Sequence, residues 1–103
     1  WKLHILHHAA EKPLLGQWML DELRHHGYSV SPGTLYPMLH RMEQAGLLAG
    51  SSDATLGSRA PRWYTLTSEG RSLLDAARVQ LRELLREVDA DWLNTVVKQG
   101  GAR

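Results

Sequence analysis

The chain has 103 residues, of which 43% are hydrophobic, with no cysteine and a net charge of +1. This suits one small domain with a modest core, and it excludes disulfides and thiolate metal sites. No apolar run approaches the roughly 20 residues that span a bilayer, so we expect a cytoplasmic protein with no membrane partner. Because basic and acidic residues are balanced in both halves, composition alone gives little support for nucleic-acid binding.

The first part of the chain predicts two short helices. Apolar residues at positions 3, 5, 6, 9 and 10 favour a helix that stops before Pro13, since a residue preceding proline avoids the helical region. A second helix runs from about residue 15 or 16 to His26, and Gly27 is suited to end it.

The third helix begins within the stretch SVSPGTLYPMLHRM and contains a second proline. Ser31 suits the N-cap and Pro32 the first helical position. Pro37 removes a backbone donor and crowds the carbonyl of Gly33, so we expect a loosened or kinked first part of this helix. Leu35 and its apolar neighbours turn inward. The outward side carries Gly33, Tyr36, Pro37, His40, Arg41 and Gln44.

The remaining sequence predicts a β-hairpin and a long helix. Segments 47–51 and 62–66 read as two strands joined by a long polar tip. Thr67 is suited to cap a final helix of about 30 residues. Its apolar stripe is longer than so small a core can cover, which favours a homodimer. The expected dimer contacts are Leu74, Leu81, Leu85, Val88 and Trp92.

This order of elements predicts a mainly α fold with a small β-hairpin, namely a winged helix-turn-helix. We expect the DNA-binding domain at residues 1–66 and a long C-terminal dimerisation helix at residues 67–103. In such a domain the third helix enters the DNA major groove and the hairpin forms the wing beside it.

Four spaced motifs resemble the PadR-like family of transcriptional regulators. They are the block PLLGQWMLDELRHHG, then S-P-G-T-L-Y-P, E-x-x-G-L-L and R-x-Y-x-L-T-x-x-G, all within residues 3–74. Several motifs in the right order are much harder to reach by chance than one short pattern. The resemblance implies a sequence-specific repressor that binds a palindromic double-stranded DNA operator as a homodimer and is released by a small effector.

The resemblance also implies which residues contact DNA. The block from Ser31 to Pro37 would begin the recognition helix, where the Pro37 ring could press on a thymine methyl or a sugar. Arg59 and Arg62 would form the basic wing and reach phosphate or the minor groove. The full implied set is Ser31, Gly33, Thr34, Tyr36, Pro37, His40, Arg41, Arg59 and Arg62.

Three alternatives remain open from the residues alone. Pro37 could simply be tolerated near the helix start. Tyr36 could pack inward under the wing against Trp63 and steady the helix. The whole domain could also be a winged-helix module for protein contacts with little DNA binding, which a flat salt dependence would reveal.

Six histidines raise the question of a metal site. His4 and His8 have the i,i+4 spacing of helical zinc ligands, and His25 and His26 lie in the next helix. Because no carboxylate or thiol pattern completes a ligand set, we interpret the histidines as solvated and expect no metal and no cofactor. The serines of the hairpin tip lack a G-x-S-x-G setting, so we expect no enzyme.

Large aromatic residues suggest a pocket for a small aromatic or hydrophobic effector. Trp1, Trp18 and Trp92 could line one at a dimer seam. The resemblance implies effector-binding tryptophans on the last helix, but that place falls on Leu81 here. We therefore interpret Trp92 as a packing residue.

Overall fold

The structure is a computed structural model that describes residues 1–52 and 54–99, and the side chains of all of these except residues 54, 58, 59 and 97–99. Residues 100–103 of the expected dimerisation segment lie outside the described residues. The elements in chain order are α1 (Lys2–Glu11), β1 (Leu14–Leu15), α2 (Gly16–His25), α3 (Pro32–Gln44), β2 (Leu48–Ser52), a 3₁₀ helix (Ala54–Arg59), β3 (Arg62–Leu66) and α4 (Ser68–Gln99).

Glycines in the left-handed region end α2 and α3. Gly27 has φ of 90° and Gly46 has φ of 80°, a conformation that glycine adopts without steric cost. In each case the next residue closes the helix end, since the Tyr28 amide bonds the Leu23 carbonyl at 3.0 Å and Leu47 repeats this pattern on α3. These stops place α2 and α3 as the two helices of a helix-turn-helix.

Helix α3 runs without interruption through Pro37 from Pro32 to Gln44. Ser31 occupies the N-cap position as predicted, and its carbonyl accepts the Leu35 amide at 3.0 Å. The Ser31 hydroxyl does not cap a backbone amide, however, and lies 3.2 Å from the Thr34 hydroxyl. The start of α3 is therefore held by backbone bonds and by the preset φ of Pro32.

The sheet has three antiparallel strands in the order β1-β3-β2, so the expected hairpin of β2 and β3 forms and a third strand adds to it. Strands β2 and β3 pair from Leu48 opposite Leu66 to Ser52 opposite Arg62. The two-residue strand β1 adds to the other side of β3, with Leu14 opposite Tyr64. A strand this short carries no detectable alternation, so the pattern in the sequence could not reveal it. We call β2, β3 and the 3₁₀ helix the wing.

One apolar core joins α1, α2, α3, the sheet and the start of α4. Its fully buried side chains are Ile5, Leu6, Met19, Leu20, Leu23, Leu35, Leu39, Leu48 and Leu74. Leu74 was predicted to be a dimer contact, and its burial against its own chain corrects that prediction. Leu74 is buried because the first turns of α4 pack on α1.

The first turn of α4 is joined closely to the turn after α3. The Thr67 hydroxyl donates to the Gly46 carbonyl at 2.5 Å and accepts the Gly70 amide at 2.9 Å, so it caps α4 as predicted. Gly70 is buried, and a Cβ there would lie 2.1 Å from the Leu47 carbonyl oxygen. Only glycine allows α4 to begin this close to the turn after α3.

The rest of α4 extends away from the core. Every residue from Arg78 to Val96 is exposed, and the molecule measures 68 × 28 × 19 Å. Across the described part of the chain, none of the helices combines the length and apolar character needed to cross a membrane.

Candidate nucleic-acid interface

The outward face of α3 presents nearly all of the predicted DNA-contact residues together. The inward residues of this helix, Leu35, Leu39 and Met42, are buried in the core. This arrangement turns the intervening positions to solvent. The exposed positions on and just before this helix include Ser31, Gly33, Thr34, Tyr36, Pro37, His40 and Arg41.

Tyr36 packs against the first residue of α2. Its ring lies so close to Gly16 that a Cβ there would stand 2.5 Å from Cε1 of Tyr36. The side chain nevertheless keeps 40% of its surface exposed. Tyr36 therefore contacts Gly16, a neighbour that the sequence did not suggest, and it combines packing with an accessible face.

A groove of about 370 Å³ separates α3 from the wing. Tyr36 lines it from α3, Gln17 from α2, and Arg62 from the wing, with Pro61 just before β3. The structure thus brings together two predicted contact residues, Tyr36 and Arg62, that are 26 positions apart (62 − 36) in the sequence. A groove with a phenol and a guanidinium on its walls is suited to a phosphate or sugar edge.

On its other side α3 forms a second cleft with α1. Arg41 and Lys2 line this cleft of about 310 Å³ together with Met38, Ala45 and other residues. Lys2 was not predicted as a contact residue, because no motif marks it and only the packing of α1 beside α3 brings it here. Two cations therefore lie beside the outward face of α3.

Arg62 makes an ion pair with Glu43 at the end of α3. Its Nε donates to Oε1 of Glu43 at 3.1 Å, and its Nη2 donates to Oε2. These hydrogen bonds hold the pKa of the Glu43 carboxyl below its ordinary value of 4.5. The pair fixes the start of β3 against the end of α3.

Gly50 on β2 makes room for this ion pair. A Cβ at Gly50 would lie 2.6 Å from Nε of Arg62 and 2.7 Å from Oε1 of Glu43. Neither Glu43 nor Gly50 was among the predicted site residues. Glu43 and Arg62 are 19 positions apart, and no local sequence pattern predicts a contact at that separation. Arg59 ends the 3₁₀ helix, but its side chain lies outside the described residues.

The predicted dimer contacts beyond Leu74 all lie exposed on one stripe of α4. Leu81, Leu85, Val88 and Trp92 recur at alternating steps of three and four residues, which keeps them on one side of a helix. An uncovered apolar stripe of this length is unusual on a monomer surface.

The three tryptophans of the expected effector pocket do not share one site in this chain. Trp1 packs edge-on against Tyr28, with ring centroids 6.3 Å apart. Trp18 and Trp63 line a cavity of about 250 Å³ beside Lys12. Trp92 is exposed on α4.

Histidines of α1 and of the end of α2 lie close together where the two helices meet. Burial, with smaller effects from nearby positive charges, lowers the pKa of His4. His8 was interpreted as a solvated residue, but its side chain is only 15% exposed and its ring lies 5.1 Å from that of Trp18. This corrects the interpretation for His8.

The chain is similar to known proteins in both sequence and fold. The sequence model of the "Transcriptional regulator PadR-like family" matches residues 5–76. The transcriptional regulator Rv3488 of Mycobacterium tuberculosis is 53% identical over 87 residues, which cover 84% of this chain and 80% of that protein.

Two solved structures have the same fold. A PadR-family transcriptional regulator from Eggerthella lenta is 30% identical with a TM-score of 0.72, covering 86% of this chain and 78% of its own. A PadR-like transcriptional regulator from Bacillus cereus has a TM-score of 0.74 at 24% identity, covering 86% of this chain and 87% of its own. Sequence and fold therefore agree, and the chain belongs to the PadR-like family of transcriptional regulators.

Proposed function

We propose that this protein is a homodimeric repressor that binds a palindromic DNA operator and has no catalytic role. The observation that carries the proposal is the outward face of α3, where Tyr36, Pro37, His40 and Arg41 are all exposed beside the wing. A helix presented in this way reads base edges in the major groove, while flanking cations bind phosphate.

We assign DNA recognition and dimerisation to different parts of the chain, according to which residues the core includes. Residues 1–66 would carry DNA recognition, with α3 as the recognition helix and Arg62 on the wing. Residues 67–103 would carry dimerisation, because α4 leaves an apolar stripe uncovered after Ala77. Two-fold symmetry of the dimer would then require two inverted half-sites in the operator.

Release by a small aromatic or hydrophobic effector would complete the regulatory cycle. The cavity beside Trp18 and Trp63 is an aromatic site within a single chain, with Lys12 Nζ 5.9 Å from the Trp18 ring centroid. Such a site suits a flat aromatic or hydrophobic ligand. An effector bound there would contact β1 and β3 and so reach the wing.

Selection of bound duplexes from a random pool tests the proposal. We expect a palindrome to be recovered, with affinity for it that falls steeply with salt because phosphate contacts release counterions. A protein-contact module would select no sequence and would show no duplex binding to titrate. The same assay with an Arg41→Ala variant links the recovered sequence to α3.

A further inference from the structure

Three potential ligand side chains converge where α1 crosses the end of α2. His8 comes from α1, while Glu22 and His26 are four residues apart on α2 and its C-cap. Oε1 of Glu22 lies 3.1 Å from Nε2 of His26 and 3.9 Å from Nε2 of His8. The ligand atoms of all three residues lie within 4.8 Å of one another.

The burial of His8 is unusual for a histidine without hydrogen bonds. Its Nδ1 atom is buried and has no hydrogen-bond partner among the residues that the structure describes. An unpaired polar atom at a buried position has a free-energy cost, which is offset when the ring is oriented so that this nitrogen gains a hydrogen-bond partner. Oε2 of Glu11 lies 3.9 Å from this nitrogen.

We propose that His8, Glu22 and His26 bind one Zn²⁺ ion. Two imidazoles and a carboxylate are ligands that zinc prefers, and Zn–N bonds of 2.0–2.1 Å place tetrahedral ligand atoms roughly 3.3 Å apart. The separations of 3.1 and 3.9 Å bracket this value, so small side-chain rotations complete the site. Three protein ligands leave the fourth position to water.

Glu11 would act as an outer partner of the site. With Nε2 of His8 on the metal, the proton of that ring resides on Nδ1, which then donates to Glu11 after a small movement of the carboxylate. Metal-bound histidines commonly make such a bond, and it fixes the ring orientation. The metal would fasten α1 to the end of α2, on residues that do not belong to the DNA-contact face.

A second group, His7, His8 and Glu11, is a weaker candidate for the same ion. Its members come from α1 alone, and the side chains of His7 and Glu11 are 48% and 58% exposed. An exposed group on one helix is less preorganised than three residues from two packed helices. Substitution of His7 therefore separates the two assignments.

Calorimetric titration of ZnCl₂ into the untagged full chain near neutral pH tests the proposal. We expect one Zn²⁺ per chain, with affinity reduced at least about 10-fold in Glu22→Gln and in His26→Gln, and about 10-fold in Glu11→Gln. His25→Gln is the matched control, because His25 is the adjacent exposed histidine and belongs to neither group. It should bind zinc as the unmodified chain does.

Titration with CoCl₂ gives an independent readout. Co²⁺ in this site should produce the visible absorption of a four-coordinate ion and should quench Trp18, whose ring lies next to His8. Circular dichroism confirms that each variant is folded before its affinity is compared. Unchanged zinc affinity in Glu22→Gln and His26→Gln would overturn the proposal, as would equal loss in His25→Gln. Loss in His7→Gln with full binding in His26→Gln would place the ion on the other group and also overturn it.

Discussion

Arg62 on the wing and Glu43 at the end of α3 are joined by two parallel hydrogen bonds. Bidentate pairing of this kind fixes orientation as well as distance, because the guanidinium and the carboxylate are both planar. The ion pair thus aligns strand β3 of the wing with α3, the helix proposed to read DNA. Because both side chains are partly exposed, the contribution of the pair to stability is modest.

The ion pair predicts a pH dependence of stability in the acid range. The pKa of Glu43 is lowered by Arg62, so the pair contributes stability above the unfolded value of about 4.5 and loses it as the pH falls through the folded pKa. We expect the Tm of Glu43→Gln to fall less between about pH 6 and pH 3 than that of the unmodified chain. Thermal melts measure Tm at each pH. The same decrease of Tm with pH in Glu43→Gln and in the unmodified chain would show that the pair does not form in solution.

The wing arginines should provide affinity more than sequence choice. We expect Arg62→Ala and Arg59→Ala each to weaken binding to all duplexes alike and to lower the salt slope by about one unit. Glu43→Gln should have the opposite effect on affinity, because it removes a negative charge and frees Arg62. Relaxed discrimination at a single base pair in either arginine variant would identify that arginine as a base reader.

Tyr36 should contribute to DNA binding through its hydroxyl and to packing through its ring. Tyr36→Phe keeps the contact with Gly16, so we expect an unchanged Tm and a loss of about 1 kcal/mol in operator binding. Both quantities are measured on the same sample. A lower Tm with intact affinity would mean that the hydroxyl serves the fold alone.

Adding a methyl group under that ring should disturb the fold. We expect Gly16→Ala to lose about 1–3 kcal/mol of unfolding free energy, because its Cβ would overlap Tyr36. Gly33→Ala is the control, since the nearest atom to its added Cβ is the Ser31 hydroxyl at 3.8 Å. Denaturant melts of the two variants should therefore differ. Equal stability would show that Tyr36 does not lie over Gly16.

Arg41 is the cation on α3 best placed to reach a base edge. We expect Arg41→Ala to cost about 1–3 kcal/mol of operator binding and to relax one position in each half-site if the guanidinium reads guanine. Arg82→Ala, which removes an exposed arginine from α4, is the control for net charge. A uniform loss across all sequences would assign Arg41 to phosphate.

Two valines on opposite sides of α4 test the dimer. Val88 lies on the apolar stripe and Val79 faces the other way, nine residues and half a turn away (9 × 100°), and both are about half exposed. We expect Val88→Asp to raise the dimer dissociation constant by more than about tenfold, because it puts a charge in place of an apolar side chain that the proposed dimer would bury. Val79→Asp should leave it unchanged. Sedimentation at micromolar concentration measures both, and a monomeric unmodified chain would contradict the dimer.

The helices of this domain were largely predictable because their limits depend on local chemistry. Gly27 and Gly46 end helices by adopting positive φ, and Thr67 caps α4, so the residues that set these limits lie within one turn of them. The outward face of α3 followed from helical periodicity for the same reason. Such features need no knowledge of the tertiary fold.

Contacts between distant segments could not be predicted in this way. The pairing of β1 with β3, the Arg62 bond to Glu43 and the approach of His8 to Glu22 all depend on how the elements pack. Leu74 gives a second example, since it shares the apolar period of α4 with Leu81, yet Leu74 is buried and Leu81 is exposed. The spacing of apolar residues along the sequence does not distinguish a core residue from an interface residue.

The joint between Gly70 and the Leu47 carbonyl determines the direction in which α4 leaves the domain. Over the 32 residues of this helix, each degree of rotation at its first turn displaces the far end by roughly 0.8 Å, given a rise of 1.5 Å per residue. In the proposed dimer, that angle would set the separation of the two recognition helices. The spacing between operator half-sites would then depend on residues that never touch DNA, and a larger side chain at position 70 would shift the preferred spacing rather than the preferred bases.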